Sequence, residues 1–145
     1  MLQFAFDGDV NNNYLPHQYT SPHCVVYTGT HDNETTRGWW HSVDDRTRHQ
    51  VRSYCAISGD EDYICWDMIR LAFSSTAKLA VIPLQDLLSL GNDARMNTPS
   101  APSGNWGWRV RVEALNTEVS KRLYELASTY ARLPSVLNHG AKESV

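Results

Sequence analysis

The order of apolar and polar positions divides the chain into short strands, amphipathic helices and long polar loops. Leu2 to Phe6 is an apolar run that reads as a strand, followed by a polar loop over 7–23. The β-branched and aromatic stretch Val25-Val26-Tyr27-Thr28 predicts a strand over 24–28 that stops at Gly29. Thr35 and Thr36 beside Glu34 supply helix-start chemistry. A helix is therefore predicted over 35–55, with Trp39, Trp40, Val43, Val51, Tyr54 and Cys55 on one rough apolar face. A second helix over 61–78 has a cleaner face, with Ile64, Cys65, Met68, Ile69, Ala72 and Phe73 at spacings of three and four. The continuous apolar run Leu79-Ala80-Val81-Ile82 predicts a strand over 79–84 buried on both faces, ended by Pro83, which has no N–H for a ladder. A Gly/Pro/Trp loop over 89–110 leads to a last helix over 115–132.

Strands that alternate with helices point to βαβ units and a parallel sheet, hence an α/β fold. Polar residues follow each strand: the loop after Phe6, His31-Asp32-Asn33 after the second strand, and Gln85-Asp86 after the third. In parallel α/β folds ligands bind on that carboxyl-terminal lip, and the layout is that of the catalytic face of a barrel. Three strands do not close a barrel. The opening strand has no preceding cap or helix to cover it, which leads us to expect further sequence upstream.

Composition narrows the classes of partner. The chain has 145 residues, 41% of them hydrophobic, enough for one globular domain. A formal net charge of −3, with its 13 Lys and Arg scattered, offers no basic field for nucleic acid or an anionic membrane. No apolar run approaches the roughly 20 residues needed to cross a bilayer, and MLQFAFDGDV is too short and acidic for a signal peptide. Cys24, Cys55 and Cys65 are odd in number and form no CxxC pair, so they read as reduced thiols of an intracellular protein that is not secreted. No cofactor motif is present, phosphate loops included.

His31-Asp32-Asn33 places an imidazole, a carboxylate and an amide on successive loop positions. Carbohydrate is a natural match for such a set, because polyols are held by charge-assisted hydrogen bonds and aromatic stacking, and the chain has five Trp and seven Tyr. The competing reading is structural: Asp32 or Asn33 caps the following helix. Asp7-Gly8-Asp9-Val10-Asn11-Asn12-Asn13 has the alternation of a calcium loop, yet its sixth position is Asn12 and its twelfth Gln18, so no metal site is expected there. Gly104-Asn105-Trp106-Gly107-Trp108-Arg109 is either a packed plug or a sugar-lining loop. There is no GxSxG elbow for a hydrolase triad.

VVYTGTHDNETTRGWW over 25–40, with AFSSTA, IPLQD, ARMNTP and GNWGWR in the same order, closely resembles the 4-α-glucanotransferases, called amylomaltase in bacteria and disproportionating enzyme in plastids. LQFAFDGD and Asn13-Tyr14-Leu15-Pro16-His17 fit the same family. The resemblance runs over 1–133, with 134–145 as a tail. It implies the C-terminal part of a (β/α)₈ TIM barrel, supplying about its sixth to eighth strands and incomplete on its own. It further implies a retaining transfer of α-1,4-glucan segments to the 4-hydroxyl of glucose or maltooligosaccharides. The family's nucleophile and acid/base follow its fourth and fifth strands, which lie outside this sequence. Its third carboxylate falls on Asp32, the transition-state stabiliser, with His31 hydrogen-bonding the same sugar ring. Asn33, Gln85, Asp86, Asn97, Trp106 and Trp108 are the expected substrate contacts. The isolated chain is expected to be inactive, or to act as a non-catalytic glucan-binding piece. The resemblance fits plastid stroma in a plant or alga and cytoplasm otherwise.

Overall fold

A computed structural model describes residues 1–58 and 60–134. The chain forms two compact units, Met1–Val110 and Arg111–Val145. The tail anticipated over 134–145 lies, apart from Pro134, outside the described residues.

The first unit is built on two parallel strands, β1 (Val25–Tyr27) and β2 (Leu79–Val81), in the register Val25 to Leu79, Val26 to Ala80 and Tyr27 to Val81. Between them run α1 (Thr36–Ser42), α2 (Asp45–Cys55) and α3 (Ile64–Ser74), and β2 is followed by the single turn α4 (Leu84–Leu87). This is the α/β alternation that the sequence pattern implies. The core is made where helix faces meet the sheet. Val26 is fully buried, as are Ile64, Met68, Ile69 and Ala72 of α3, with Cys65 almost so. The apolar face read from the spacing of α3 is thus the face that packs. α3 has no side-chain cap, so packing of this face is what fixes its start.

Three expectations are corrected. β2 is not buried on both faces: Leu79 and Val81 are exposed, because no element among the described residues packs on that side of the sheet. Leu2 to Phe6 is not a strand: Leu2–Phe4 is a 3₁₀ turn closed by Ala5 N–H donating to the carbonyl of Leu2 at 2.9 Å. Most of its apolar residues are still core, with Leu2 and Ala5 fully buried and Phe6 packed against the rings of Trp39 and Tyr54, while Phe4 is exposed and meets the Tyr14 ring edge-on. A strand exists only through ladder bonds to a neighbour, and among the described residues the sheet has two strands only. The single helix over 35–55 is in fact two. Val43 is extended, and the Asp44 carboxylate accepts from Thr47 N–H at 2.8 Å, capping a new helix. The split lets both Arg48 and Arg52 lie over the Trp40 ring, at 6.0 and 5.3 Å from its centroid.

The turns of the Asp7 to Tyr14 loop are held by its own side chains, while Gly8 N–H and Asn12 Nδ2 reach out to Gln50 Oε1 and the Phe4 carbonyl. Asp9 N–H donates to Asp7, Asn11 N–H to Asp9 and Tyr14 N–H to Asn12, each at 2.8 to 2.9 Å. The three cysteines are free thiols, and burial pushes Cys55 and Cys65 up to about 12. The second unit holds a 3₁₀ turn, Val112–Ala114, and α5 (Thr117–Thr129), whose first turn is capped by Asn116 accepting from Val119 N–H at 3.0 Å.

Candidate functional site

The chain leaves β1 at Thr28 and turns through Gly29 into His31-Asp32-Asn33. A side chain at Gly29 would have to displace Gln3: a Cβ there would come within 2.7 Å of the Gln3 amide nitrogen, which donates to the Glu34 carbonyl at 3.0 Å. Thr35, not Asp32 or Asn33, caps α1, its hydroxyl accepting from Gly38 N–H at 3.1 Å. The helix-cap reading of Asp32 therefore fails, and its side chain is left half-exposed. A cleft of about 640 Å³ opens here at the C-terminal ends of both strands, lined by His31, Asp32, Asn33, Glu34, Gln85 and Asp86 among others. Tyr27 and Val81, a registered pair, lie at its apolar wall.

Asp32 is held from outside the strands. Asn97 Nδ2 donates to its Oδ1 at 2.7 Å, and Asn97 N–H donates to the His31 carbonyl at 3.1 Å. Arg95 ties both segments, Nη2 donating to the Asp32 carbonyl at 2.7 Å and Nε to the Asn97 carbonyl at 2.8 Å. His31 Nε2 lies 3.2 Å from Asp32 Oδ1, and the exposed Trp106 ring faces the His31 ring at 5.1 Å between centroids. One carboxylate oxygen is thus steadied by an amide and an imidazole. Asn33 turns inward along the loop instead, its Oδ1 accepting from Thr30 N–H at 3.1 Å and Thr30 Oγ1 at 2.6 Å.

Asp86 has a different environment. It is almost wholly buried, and its two oxygens accept from Thr28 Oγ1 at 2.5 Å, Thr36 N–H at 2.8 Å and Thr36 Oγ1 at 2.8 Å. Burial raises its pKa above the ordinary 3.8, with the bonds from Thr28 and Thr36 pulling the other way. It joins the end of β1, the start of α1 and the turn after β2 beneath the cleft. Gln85 is buried beside it, with Nε2 donating to the Ala94 carbonyl at 3.2 Å. Glu34 is anchored at both oxygens, by Asn92 Nδ2 at 2.7 Å and Ser42 Oγ at 2.7 Å. Asn92 in turn lies directly on Gly38, where no Cβ fits.

Of the residues singled out from sequence, His31, Asp32, Asn97 and Trp106 converge, and Asn33, Gln85 and Asp86 line the same cleft. Trp108 does not join them; it is half-buried, with its carbonyl accepting from Arg109 Nη1 at 2.8 Å. Arg95 was missed. Its signal was its place two residues before Asn97 in ARMNTP, where an Arg among turn formers is a ready clamp for carbonyls.

Parallel strands whose carboxyl ends gather a carboxylate, an imidazole and amides over a cleft put this candidate site where ligands commonly bind in α/β proteins. The chain belongs to the 4-alpha-glucanotransferase family, whose model matches residues 1–115. It is 50% identical over 137 residues to a chloroplastic/amyloplastic 4-alpha-glucanotransferase of Arabidopsis thaliana, covering 92% of this chain and 23% of that protein. It is 46% identical over 132 residues to the 4-alpha-glucanotransferase of Synechocystis, covering 91% of this chain and 26% of that one. Its structure matches the amylomaltase of Streptococcus agalactiae in complex with acarbose, with a TM-score of 0.86 and 30% identity over 92% of this chain and 27% of the other. The chain therefore spans about a quarter of the length of these relatives.

Proposed function

We propose that this chain forms part of the active centre of a 4-α-glucanotransferase acting on α-1,4-glucans and maltooligosaccharides, with glucose as an acceptor. In this reading β1 and β2 are the seventh and eighth strands of a (β/α)₈ barrel. Asp32 stabilises the positively charged sugar of a retaining reaction. The steps follow from that chemistry. A carboxylate nucleophile attacks the anomeric carbon while a carboxylic acid, about 5–5.5 Å away, gives its proton to the departing glycosidic oxygen. An acceptor 4-hydroxyl then attacks the glycosyl ester, returning its proton to the acid/base and releasing the nucleophile. Both groups are assigned by the family resemblance to segments preceding these residues.

The single observation that carries the reading is the half-exposed Asp32 carboxylate at the lip of β1, fixed by Asn97 and His31 with the cleft before it. Hydrogen bonds from sugar hydroxyls to this carboxylate strengthen as positive charge develops on the ring. His31 and Trp106 border the same sugar, and Asn33 and Gln85 line its surroundings. Asp86 supports the floor from beneath, because its oxygens are already taken. The plastid stroma in a plant or alga, or the cytoplasm otherwise, is the compartment that fits this role.

The test is a chimera in which residues 1–133 replace the matching segment of the Synechocystis relative. It is expected to disproportionate maltotriose, while the 145-residue chain alone releases no glucose above a buffer blank. A folded chimera with no transfer activity, or glucose release by the isolated chain, overturns the assignment.

A further inference from the structure

Asn97 and Trp106 reach Asp32 and His31 from the two ends of one loop. Between them the backbone is tied to itself by a single side chain. Asn105 Oδ1 accepts from Thr98 N–H at 2.8 Å, and Asn105 Nδ2 donates to the Ala101 carbonyl at 3.0 Å. A carboxamide is suited to this, because it offers an acceptor and a donor from one rigid plane. Inside the closure Ala101 N–H donates to the Thr98 carbonyl at 3.0 Å, and Gly104 turns the chain with a φ of +83°. The chain leaves the closure at Trp106, whose φ of +62° lies in the left-handed region that a residue with a Cβ adopts when its surroundings impose it.

The backbone of Trp106 is held on both sides. Its N–H donates to the Met96 carbonyl at 2.6 Å, and its carbonyl accepts from Arg109 Nη1 at 2.9 Å. The first of these bonds needs residue 106 to arrive opposite Met96, and the bond between Asn105 and Thr98 N–H is what brings the loop back to that point. The indole then sits on the His31 ring, with centroids 5.1 Å apart and planes inclined at 36°, while His31 Nε2 lies 3.2 Å from Asp32 Oδ1. Trp106 is still 52% exposed, so the ring keeps surface to offer a ligand.

We propose that Asn105 is a positioning residue of this site: by closing the loop over 98–105 it sets Trp106 against His31, and so fixes the aromatic border of the sugar beside Asp32. The inference rests on the functional reading above for the sugar, and on the loop geometry for the placement of Trp106. Stacking a sugar on an indole gains most when the indole is held in advance, since ordering a free side chain on binding offsets part of the gain. Asn105 acts through the backbone of its neighbour, with both of its polar atoms spent on the loop.

The experiment has two arms. In the 145-residue chain labelled with 5-fluorotryptophan, the fluorine NMR signal of Trp106 is assigned by its loss in Trp106→Phe. His31→Gln is expected to shift that signal in the parent chain and to leave it unmoved in Asn105→Ala, because the two rings no longer meet. Asn105→Asp keeps an acceptor for Thr98 N–H and is expected to retain the His31-dependent shift. A shift that persists at full size in Asn105→Ala overturns the inference, as does a Trp106 signal blind to His31 in the parent, or one that Asn105→Asp abolishes as completely as Asn105→Ala. In the chimera, Asn105→Ala is expected to lower kcat/KM for maltotriose about tenfold, Trp106→Ala by a similar factor, and the pair together by no more than either alone. Losses that multiply in the double variant overturn the positioning role. The expected fluorine shifts together with unchanged transfer in all three variants would uphold the placement of Trp106 by Asn105 and remove the sugar-binding reading instead.

Discussion

Asp32, beyond the end of β1, and Asp86, in the first turn of α4 after β2, reach one cleft from neighbouring strands, yet their surroundings are opposite. Asp86 is buried, with three protein donors on its oxygens, whereas Asp32 is half-exposed, with one amide donor on one oxygen. A carboxylate whose acceptor capacity is used by the scaffold stabilises a fold. One whose capacity is left over can meet a ligand. Residue type and position after a strand are the same in both cases; free lone pairs make the difference.

The contrast breaks most visibly at Asp32. In the chimera, Asp32→Asn should lower kcat about 10²–10³-fold with the melting temperature almost unchanged, because a charge-matched contact is lost and no packing is. Asp86→Ala should do the reverse, costing about 2–3 kcal/mol in urea unfolding by leaving Thr28 and the Thr36 N–H unpaired in a buried place. A smaller effect is expected from Asn97→Ala. Loss of one hydrogen bond on Asp32 should reduce kcat about tenfold with KM changed less, since the carboxylate remains but is no longer aimed. The smallest signal is in pH. Asp86 has a folded pKa raised above the unfolded value, so the folded state holds its proton more tightly. Its contribution to stability is therefore full below about 3.8 and is lost as pH rises through the raised value. Asp86→Asn should flatten that part of the stability profile, and an identical slope in both proteins would show that Asp86 is not the group responsible.

Much of this arrangement was legible along the chain where the forces are local. The Thr35 cap, the apolar face of α3 and the two strands are written in residues close in sequence. Leu2 to Phe6 misled because apolar content is shared by strands and by buried turns, and a partner strand decides between them. The break between α1 and α2 was available in Asp44, a good cap placed inside an otherwise helical pattern, but the apolar periodicity ran through it. The fate of Asp86 was not legible, since nothing near it in sequence announces Thr28 and Thr36 as its donors. The resemblance identified Asp32, while the clamp by Arg95 and Asn97 emerged only in three dimensions.

The bonds that finish the cleft join distant parts of the polypeptide: Thr28 to Asp86 spans 58 positions, and Asp32 to Asn97 spans 65. During synthesis the histidine and aspartate at positions 31 and 32 leave the ribosome long before the groups that will aim them. Loop closure of that reach is slow compared with helix formation. The pocket is accordingly completed only after position 97 has emerged, and a translation product that stalls before it would carry the acidic group without the amide that aims it.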